Sequence, residues 1–524
     1  MSRIRAVSKI LFVLGVVATT VVAGNATVHA AAWAPPVDFA NGQYGINIVD
    51  SFITTGEGTS RIQVLSKDQI GGMPNEYLCN DSRTGVCDFT PNGAQAFTIM
   101  PLCKVASDTD CIYGLSLSGT DGTFQRATYV RTVSGTTFAA NAAENLPVGS
   151  NPSLWSSAIG NTGGAGKYEV FVQVVSDWNN GKFVPHRLTA AVIPYSEITG
   201  GFKSHPDTNT KLSNGRTAIA SGGPDGNCVW ADSGTCGVQE DFTPGTQVKL
   251  SIRLDSALGG WFRGRLNNPD IQVIKAGSSS NLVTVTGQPA TVPQIVVAAA
   301  KSTASDAIKN FFVPMNGWAG GGVNLRADYP NAFDGINAFR SAAGDKVQGQ
   351  LTQWSFGSFS SFGNPCLSDT SKVQGLVTTN ATVYDGQAPA FNNGQLTYKV
   401  GSYHYLPDGT TLNLGTYDLV MRKDTARCLY KFSSAPISAS VSVTTDNGTE
   451  NVADASFSEQ GDWDHFYAHG FTFSNPSISV KMTQVASTSG SAAATPLTIT
   501  CTKGKLVKKV TGTAPKCPAG WKKK

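Results

Sequence analysis

The sequence predicts a mainly β protein of tandem antiparallel β-sandwich modules, with few short helices and with disulfides as staples. Short stretches of alternating apolar and polar residues recur along the chain, each about five to eight residues long. Clusters of Gly, Asn, Asp and Pro separate these stretches, and Gly alone accounts for 56 of 524 residues. The ten cysteines form an even set, which is typical of an exported, disulfide-bonded protein.

The low charge content excludes several classes of protein. Charged residues reach only 15% of the chain, whereas nucleic-acid-binding proteins, coiled coils and charged disordered chains are richer in charge. Hydrophobic residues make up 40% of the sequence, which is enough to build sizeable cores in so long a chain. We therefore expect a folded protein of about three domains, with no nucleic-acid partner.

The first 30 residues predict a secretory signal peptide. Three basic residues precede an apolar run from Ile10 to Ala23, and small residues surround a cleavage position after Ala30. The alternative is a membrane anchor, but the apolar run is shorter than a membrane-spanning helix and is followed by the cleavage pattern. We expect a secreted mature chain, extracellular or associated with the cell wall, without a transmembrane segment.

The spacing of the cysteines favours five disulfides. Three pairs of cysteines have seven residues between the partners, which predicts three local loops. Of the two remaining pairs, one is expected to close the C-terminal tail and the other to close a long loop. The predicted pairs are Cys79–Cys87, Cys103–Cys111, Cys228–Cys236, Cys366–Cys428 and Cys501–Cys517. Reduced buried cysteines and other pairings are the alternatives. No C-x-x-C motif is present, so a zinc ribbon or a thioredoxin-like redox site has no starting motif.

Strand-like alternation marks nine segments, and two further segments have a helical pattern. The predicted helices are Thr303 to Phe312, capped by Ser302 or Thr303, and Phe333 to Ala343. The predicted strands are Tyr44 to Val49, Ala96 to Met100, Tyr168 to Val175, Val248 to Leu254, Ile271 to Ile274, Leu396 to Val400, Tyr417 to Met421, Ile437 to Val443 and Ile478 to Met482.

A partial internal repeat indicates more than one module. The segment from Cys79 to Pro91 contains two cysteines followed by Asp-Phe-Thr-Pro, and the segment from Cys228 to Pro244 repeats this order with a short insertion. A run of small residues before position 497 behaves as a flexible linker. The predicted organisation is β module 1 at 33–200, β module 2 with the short helices at 201–345, β-sandwich module 3 at 346–486, a linker at 487–496 and a basic, disulfide-closed tail at 497–524.

The tail carries a strong positive charge. Residues 497–524 contain eight lysines and no acidic residue, so their net charge is +8, while residues 31–496 have a net charge of −7. We expect Leu497 to Cys501 and Leu506 to Thr511 to pair as a hairpin, held by the disulfide. The predicted partner is an anionic cell-wall polymer or envelope surface; sorting and simple solubilisation are the alternatives. The predicted surface-binding lysines are Lys503, Lys505, Lys508, Lys509, Lys516, Lys522, Lys523 and Lys524.

The tail also resembles a segment of known proteins. The motifs are Ile499-Thr500-Cys501, Lys503-Gly504-Lys505, Lys508-Lys509-Val510-Thr511, Pro515-Lys516-Cys517-Pro518, Gly520 and Lys522-Lys523-Lys524. Together they resemble a tail found on uncharacterised secreted proteins of actinobacteria. Residues Ala426 to Tyr430 and Gly470 to Pro476 are also similar to parts of such proteins. The resemblance implies a cellular location and a lineage, and it implies no activity.

Two groups of side chains in the body are candidates for binding a glycan or protein ligand. Trp261, Arg263 and Arg265 can present an indole and two guanidinium groups to a sugar or an anionic polymer; the alternative is a core position for Trp261 with the arginines facing solvent. An aromatic run can form a carbohydrate platform, although ordinary packing is the commoner role of such residues. Its members are Trp354, Phe356, Phe359 and Phe362.

Two other groups suggest metal chemistry. His465 and His469 share a face of a helix and could bind one ion there, but on a strand they lie about 13 Å apart. The alternation at Phe471 and Phe473 favours a strand, so we expect no metal site. Four aspartates lie in loops that could supply calcium ligands, but they lack the spacing of a calcium-binding loop, and turn formation explains them. These aspartates are Asp108, Asp110, Asp121 and Asp225.

The sequence favours a structural role over catalysis. It contains no nucleophile elbow, phosphate-binding loop, dinucleotide fingerprint or zinc-protease motif, and we expect no cofactor. Our leading hypothesis is a secreted cell-envelope or surface protein with a structural or adhesive, non-enzymatic role. One alternative is a secreted polysaccharide-acting hydrolase retained at the envelope by its basic tail, because paired carboxylates for glycoside hydrolysis have no sequence signature. Another is a soluble binder of small glycans or calcium.

Overall fold

The predicted signal peptide at 1–30 and the predicted linker at 487–496 lie outside the described part of the chain. The computed structural model describes residues 39, 42–50, 58–80, 83–205, 208–212, 214–220, 223–224, 228–255, 260–277, 280–315, 322–359, 364–367, 369, 372–432, 437–444, 454–473, 477–484, 497–504, 506–512, 515–518 and 520–524.

The protein is mainly β, as predicted, and one large set of paired strands forms its centre. Every segment in which the sequence predicts a strand overlaps a strand of the structure, and only Met100 of the segment Ala96 to Met100 lies beyond its strand. The strands of the central set are Arg61–Ile70, Met73–Leu78, Gly93–Ile99, Cys111–Ser118, Gln125–Arg126, Thr128–Thr132, Ser153–Ser156, Lys167–Asn179, Lys182–Thr199, Cys228–Asp232, Thr235–Gln239, Gln247–Asp255, Gly260–Lys275, Ser280–Gln294, Gly349–Phe359, Val373–Thr379, Leu414–Arg422, Asp454–Gln460 and Trp463–Thr472.

Smaller sheets surround this set. In a three-stranded sheet the central strand pairs antiparallel with one neighbour and parallel with the other; its strands are Val296–Ala300, Gln43–Val49 and Gly322–Arg326. A five-stranded sheet contains Val383–Tyr384, Ala390–Asn392, Gln395–Gly401, Ser477–Gln484 and Ile437–Thr444. The terminal sheet contains Leu506–Gly512, Leu497–Lys503 and Lys522–Lys523, and two hairpins pair Ser204–His205 with Gly223–Pro224 and Thr208–Lys211 with Thr217–Ala220.

Helices are few and short. Helix α1, Asp306–Phe312, begins later than predicted because the Ser305 side chain, rather than Ser302 or Thr303, accepts a hydrogen bond from the Ile308 backbone N–H. Helix α2, Pro330–Phe339, begins earlier than predicted, with proline in its first turn. Helix α3, Lys423–Tyr430, was not predicted. Single 3₁₀ turns span Gly85–Cys87, Ala142–Glu144 and Val313–Met315.

A sandwich forms because the long strand Gly260–Lys275 belongs to two sheets. Its first half pairs with Gly349–Phe359, and its second half pairs with Ser280–Gln294. The register shifts between Asn267 and Asp270, where Asn268 has a positive φ of 49° and proline follows. Such a bulge bends a strand and lets it change sheets. Apolar side chains of the two sheets, including Phe262, Leu250 and Val172, fill the space between them.

A second apolar core covers the opposite face of the same strands. Trp261 packs into this core whereas its neighbour Phe262 packs into the sandwich core, because successive side chains of a strand point to opposite faces. Residues of α1 and α2 and of the three-stranded and five-stranded sheets complete the second core. The first half of strand Gly260–Lys275 is therefore buried on both sides.

Strands from all three predicted modules share sheets. Lys182–Thr199, within module 1, pairs with Gly349–Phe359, within module 3. Gly260–Lys275, within module 2, pairs with Gly349–Phe359 and Val373–Thr379 of module 3. The sandwich therefore unites segments that lie far apart in sequence.

All five predicted disulfides are present. The bonded pairs are Cys79–Cys87, Cys103–Cys111, Cys228–Cys236, Cys366–Cys428 and Cys501–Cys517. Four of them close short segments of the chain, and the fifth, between Cys366 and Cys428, spans a sequence separation of 62 residues. Disulfides stabilise by restricting the unfolded chain, more so for longer loops.

Candidate functional site

The basic tail folds into a small three-stranded sheet. Leu497–Lys503 is its central strand and pairs antiparallel with Leu506–Gly512, as predicted, and with Lys522–Lys523. Ile499 and Cys501 are buried in this sheet, and Cys501 is bonded to Cys517. So small a sheet has little apolar surface to bury, and a covalent closure compensates for that deficit.

The sheet presents its lysines to solvent. In register, Lys508 and Lys523 flank Cys501 on one face, while Lys522 lies beside Thr502 on the other. Five of the predicted binding lysines are exposed, and none of these five forms an ion pair with another described residue: they are Lys503, Lys516, Lys522, Lys523 and Lys524. Lys505 lies outside the described residues, and Lys509 is described by its backbone alone, opposite Thr500.

The interpretation of Trp261, Arg263 and Arg265 as a surface-binding group is wrong. Their exposed fractions are 1%, 4% and 1%, so none of them can meet a polymer. Charged side chains are rarely fully buried, so solvent exposure was expected for the two arginines. In this fold a second layer covers that face of the strand, and the two arginines are buried with partners.

Arg265 is held by one carboxylate and several carbonyl groups. Its Nε donates to Asp50, and its Nη1 donates to the backbone oxygens of Thr379 and Ala381. The guanidinium carbon also lies 4.3 Å from the ring centroid of Tyr384, a distance at which a cation is attracted by an aromatic face. This set of bonds compensates for the loss of hydration of the buried charge.

Arg263 belongs to a second buried network. It donates to Asp328 and to the backbone oxygen of Gly386, and Arg326 also bonds Asp328, at 3.1 Å. Burial alone would raise the pKa of Asp328, but the guanidinium groups of Arg263 and Arg326 hold it below its usual value. The two networks cross-link the central sheet to the layer that covers it.

The histidine cluster lies on a strand, as predicted. His465 and His469 share a face of Trp463–Thr472, and the Nε2 atom of His469 lies 3.0 Å from Asp418 of the neighbouring strand. Burial raises the pKa of Asp418 although His469 bonds it, and burial lowers the pKa of His465. Within the described ranges, no three His, Cys, Asp or Glu side chains are grouped closely enough to hold a metal ion.

The aromatic run packs in the core where it is described. Trp354 and Phe356 are 1% and 0% exposed and lie in the sandwich core. The side chain of Phe359 and the whole of Phe362 lie outside the described residues. The two described rings are closed to a carbohydrate.

The Asp108 carboxylate holds a turn of its own loop together, as the sequence analysis expected. Its carboxylate accepts the backbone N–H groups of Val105 and Lys104, which lower its pKa. In the same loop the backbone oxygens of Val105, Ala106 and Asp108 all accept from Nη1 of Arg253, at 2.8 to 3.2 Å. A guanidinium group therefore occupies the carbonyl cluster that a calcium ion would need. Asp121 accepts the Thr123 N–H in a similar turn, and Asp225 lies outside the described residues.

Two buried carboxyl groups were missed by the sequence analysis. Glu169 is 2% exposed, its Oε2 has no hydrogen-bond partner among the described residues, and burial raises its pKa to about 8. Asp464 is fully buried, neither of its carboxylate oxygens bonds a residue in the described part of the chain, and burial raises its pKa to about 7. The sequence offers one signal for the burial of Glu169, which is the apolar run Val170 to Val172 that directly follows it. Such a run is typical of a strand that is covered on both faces.

Comparison with protein-family models gives no match, and comparison with curated proteins gives none.

None of the described helices is long and apolar enough to cross a membrane.

Proposed function

We propose that this chain is a secreted cell-envelope or surface protein with a structural or adhesive role, retained by its basic terminal sheet. The observation that carries this proposal is the arrangement of the sheet, which presents five exposed lysines, none of them paired with a described acidic residue, on a disulfide-closed scaffold. The proposed partner is an anionic cell-wall polymer. The resemblance of the tail to that of secreted actinobacterial proteins supports this assignment.

The physics of the tail sets the strength of this interaction. Near an anionic surface each lysine contributes about 1 kcal/mol at most, and the attraction falls off within a Debye length of about 8 Å at physiological salt. Eight lysines together therefore retain a protein at low salt and release it at high salt. The fixed strand register keeps several of these charges close together, so that they act on one stretch of polymer.

Two acids in the body, Glu169 and Asp464, have raised pKa values, but both are enclosed. The buried carboxyl groups with raised pKa, Glu169 and Asp464, are 2% and 0% exposed and cannot reach a polymeric substrate. A glycoside hydrolase needs two carboxyl groups open to the sugar. The ionic networks around Arg263 and Arg265 are enclosed as well, and we assign them a role in rigidity.

Cell fractionation tests the proposal. Producing cells would express the intact chain or a chain that ends at Pro496, and the envelope and medium fractions would be compared at low and high salt. We expect the intact chain to stay with the envelope and to leave it at high salt, and the truncated chain to enter the medium. N-terminal sequencing of the retained protein should begin at Ala31, because the proposal includes cleavage after Ala30.

A variant with an uncharged tail distinguishes the effect of the lysine charges from the effect of the tail's folded shape. A variant with all eight tail lysines replaced by glutamine keeps the sequence length and the disulfide, and we expect it to behave as the truncated chain does. Equal partitioning of the intact, neutral and truncated chains would show that the tail is not the anchor. Protein found free in the medium in that case would support the alternative of a diffusing hydrolase or binder.

A further inference from the structure

We propose that Thr425 and Gln374 form an intramolecular ester bond. The Oγ1 atom of Thr425, in the first turn of α3, lies 2.9 Å from Oε1 of Gln374, in strand Val373–Thr379. The two residues are 2% and 0% exposed. A hydroxyl group and a carboxamide thus meet in a site from which water is excluded.

The carboxamide is oriented for this reaction from both ends. Its Nε2 donates to the backbone oxygen of Asp369 at 2.9 Å, which turns its Oε1 toward Thr425. Because a C=O bond is about 1.2 Å long, the hydroxyl oxygen lies within about 4 Å of the amide carbon. For the reaction, the threonine hydroxyl must leave this hydrogen bond and approach the carbonyl carbon to the separation of about 3 to 3.5 Å from which bonds form. The buried setting fixes the pair and lowers the entropic cost of the encounter.

The reaction is balanced within the pair. The Thr425 Oγ1 atom attacks the Gln374 carbonyl carbon, the new C–O bond forms, and the C–N bond to Nε2 breaks. The hydroxyl proton ends on the departing nitrogen, which leaves as ammonia, and no oxidant or other reactant is consumed.

The bond complements the nearby disulfide. It links the first turn of α3 to strand Val373–Thr379 across a sequence separation of 51 residues. The Cys366–Cys428 disulfide links the last turn of the same helix to the segment before that strand. The helix is thus fastened at both ends, and the joint between it and the central sheet resists opening under load. This inference does not depend on the proposed role of the tail.

Mass spectrometry of the purified full chain tests the inference. Ester formation lowers the mass of the chain by one ammonia, about 17 Da, below that expected for the disulfide-bonded protein. After reduction and trypsin digestion, we expect the tetrapeptide Asp424 to Arg427 to remain attached to the peptide Val373 to Lys399. Mild alkali should separate the two, because it hydrolyses an ester under conditions that leave an amide cross-link intact. Recovery of both peptides as separate, unmodified species would overturn the inference.

Three variants identify the atoms involved. Thr425→Ser keeps the hydroxyl group and should keep the cross-link, whereas Thr425→Val and Gln374→Glu should lose it together with the mass change. A cross-link that persists in Thr425→Val would contradict the assignment of Thr425 as the nucleophile. If either variant fails to fold, the peptide map of the unmodified chain still decides the question.

Discussion

The chain handles positive charge in opposite ways in its centre and at its C-terminus. Arg263 and Arg265 are 4% and 1% exposed, and carboxylates and backbone oxygens surround both. On the terminal sheet, exposed lysines such as Lys523 have no ion-pair partner among the described residues. The first arrangement uses charge to join two layers of the fold. The second leaves charge available to a partner.

The difference shows how to assign a role to a charged residue in this protein. A buried charge costs several kcal/mol of hydration, so it is found where a complete set of partners compensates for that loss. An exposed lysine costs almost nothing and contributes little to stability. Substitutions in the centre should therefore change folding, whereas substitutions in the tail should change retention and leave folding intact.

The largest expected effect concerns a buried acid, Glu169, which forms no ion pair with any residue that the structure describes. Folding raises the pKa of Glu169 from 4.5 to about 8, so the folded chain holds a proton that the unfolded chain releases. The contribution of Glu169 to stability should therefore be complete below about pH 4.5 and should fall by about 5 kcal/mol as the pH rises from there through 8. Glu169→Gln removes this loss, and we expect the variant to be the more stable form at pH 9 but not at pH 4.5.

Denaturant unfolding of both forms at several pH values measures this difference, because all other titrating groups are common to the two. A constant difference between Glu169→Gln and the unmodified chain from pH 4.5 to 9 would show that the carboxylate is compensated in the folded state. The central sheet would then accommodate a buried carboxylate that has no described partner. Glu169 would no longer differ from the buried arginines, whose charges are compensated.

The next largest effect should come from removing a buried cation. Arg265→Met leaves the Asp50 carboxylate and the oxygens of Thr379 and Ala381 without their donor. Breaking a buried pair by removing one partner costs about 3 to 5 kcal/mol, and equilibrium unfolding should show this loss. Lys523→Met is the matched control and should change the free energy of unfolding by less than about 0.5 kcal/mol. Equal effects of the two substitutions would contradict the comparison.

A third effect should be confined to the tail. Replacing Cys501 and Cys517 by serine removes a closure worth about 3 kcal/mol to a segment of that length, while all eight lysines stay in place. We expect trypsin to cleave the tail faster under native conditions, and the unfolding midpoint of the central sheet to stay the same. A shift of that midpoint would show that the terminal sheet supports the rest of the fold.

Local patterns in the sequence predicted the elements well. Alternation located nine strand segments, because in a strand with one covered face every second side chain is apolar. The spacing of cysteines predicted all the pairs, and the tail hairpin followed from two apolar runs around Lys503-Gly504-Lys505. The register of Leu497–Lys503 with Leu506–Gly512 agrees with that expectation. Each of these features depends on residues close together in the chain.

Long-range pairing could not be predicted in the same way. Gly260–Lys275 is buried on both faces near Trp261 only because strands far away in sequence, Gly349–Phe359 and Val373–Thr379, lie beside it. Nothing local to Arg265 indicates that Asp50 will meet it. Helix α3 was missed because Lys423–Tyr430 is charged and directly follows a strand, and its tertiary contacts rather than its composition explain where it packs.

The smallest expected effect is that of one exposed lysine. Lys523→Gln removes one of eight tail charges, and about 1 kcal/mol of attraction per lysine predicts a loss of roughly fivefold in envelope binding at low salt. The salt concentration that releases the protein should fall slightly, and the unfolding free energy should not change. Lys523→Arg, which keeps the charge, should bind as the unmodified chain does. Weaker binding of the arginine variant would mean that the sheet recognises the shape of the ammonium group, and the tail would then be a specific binding site rather than an electrostatic anchor.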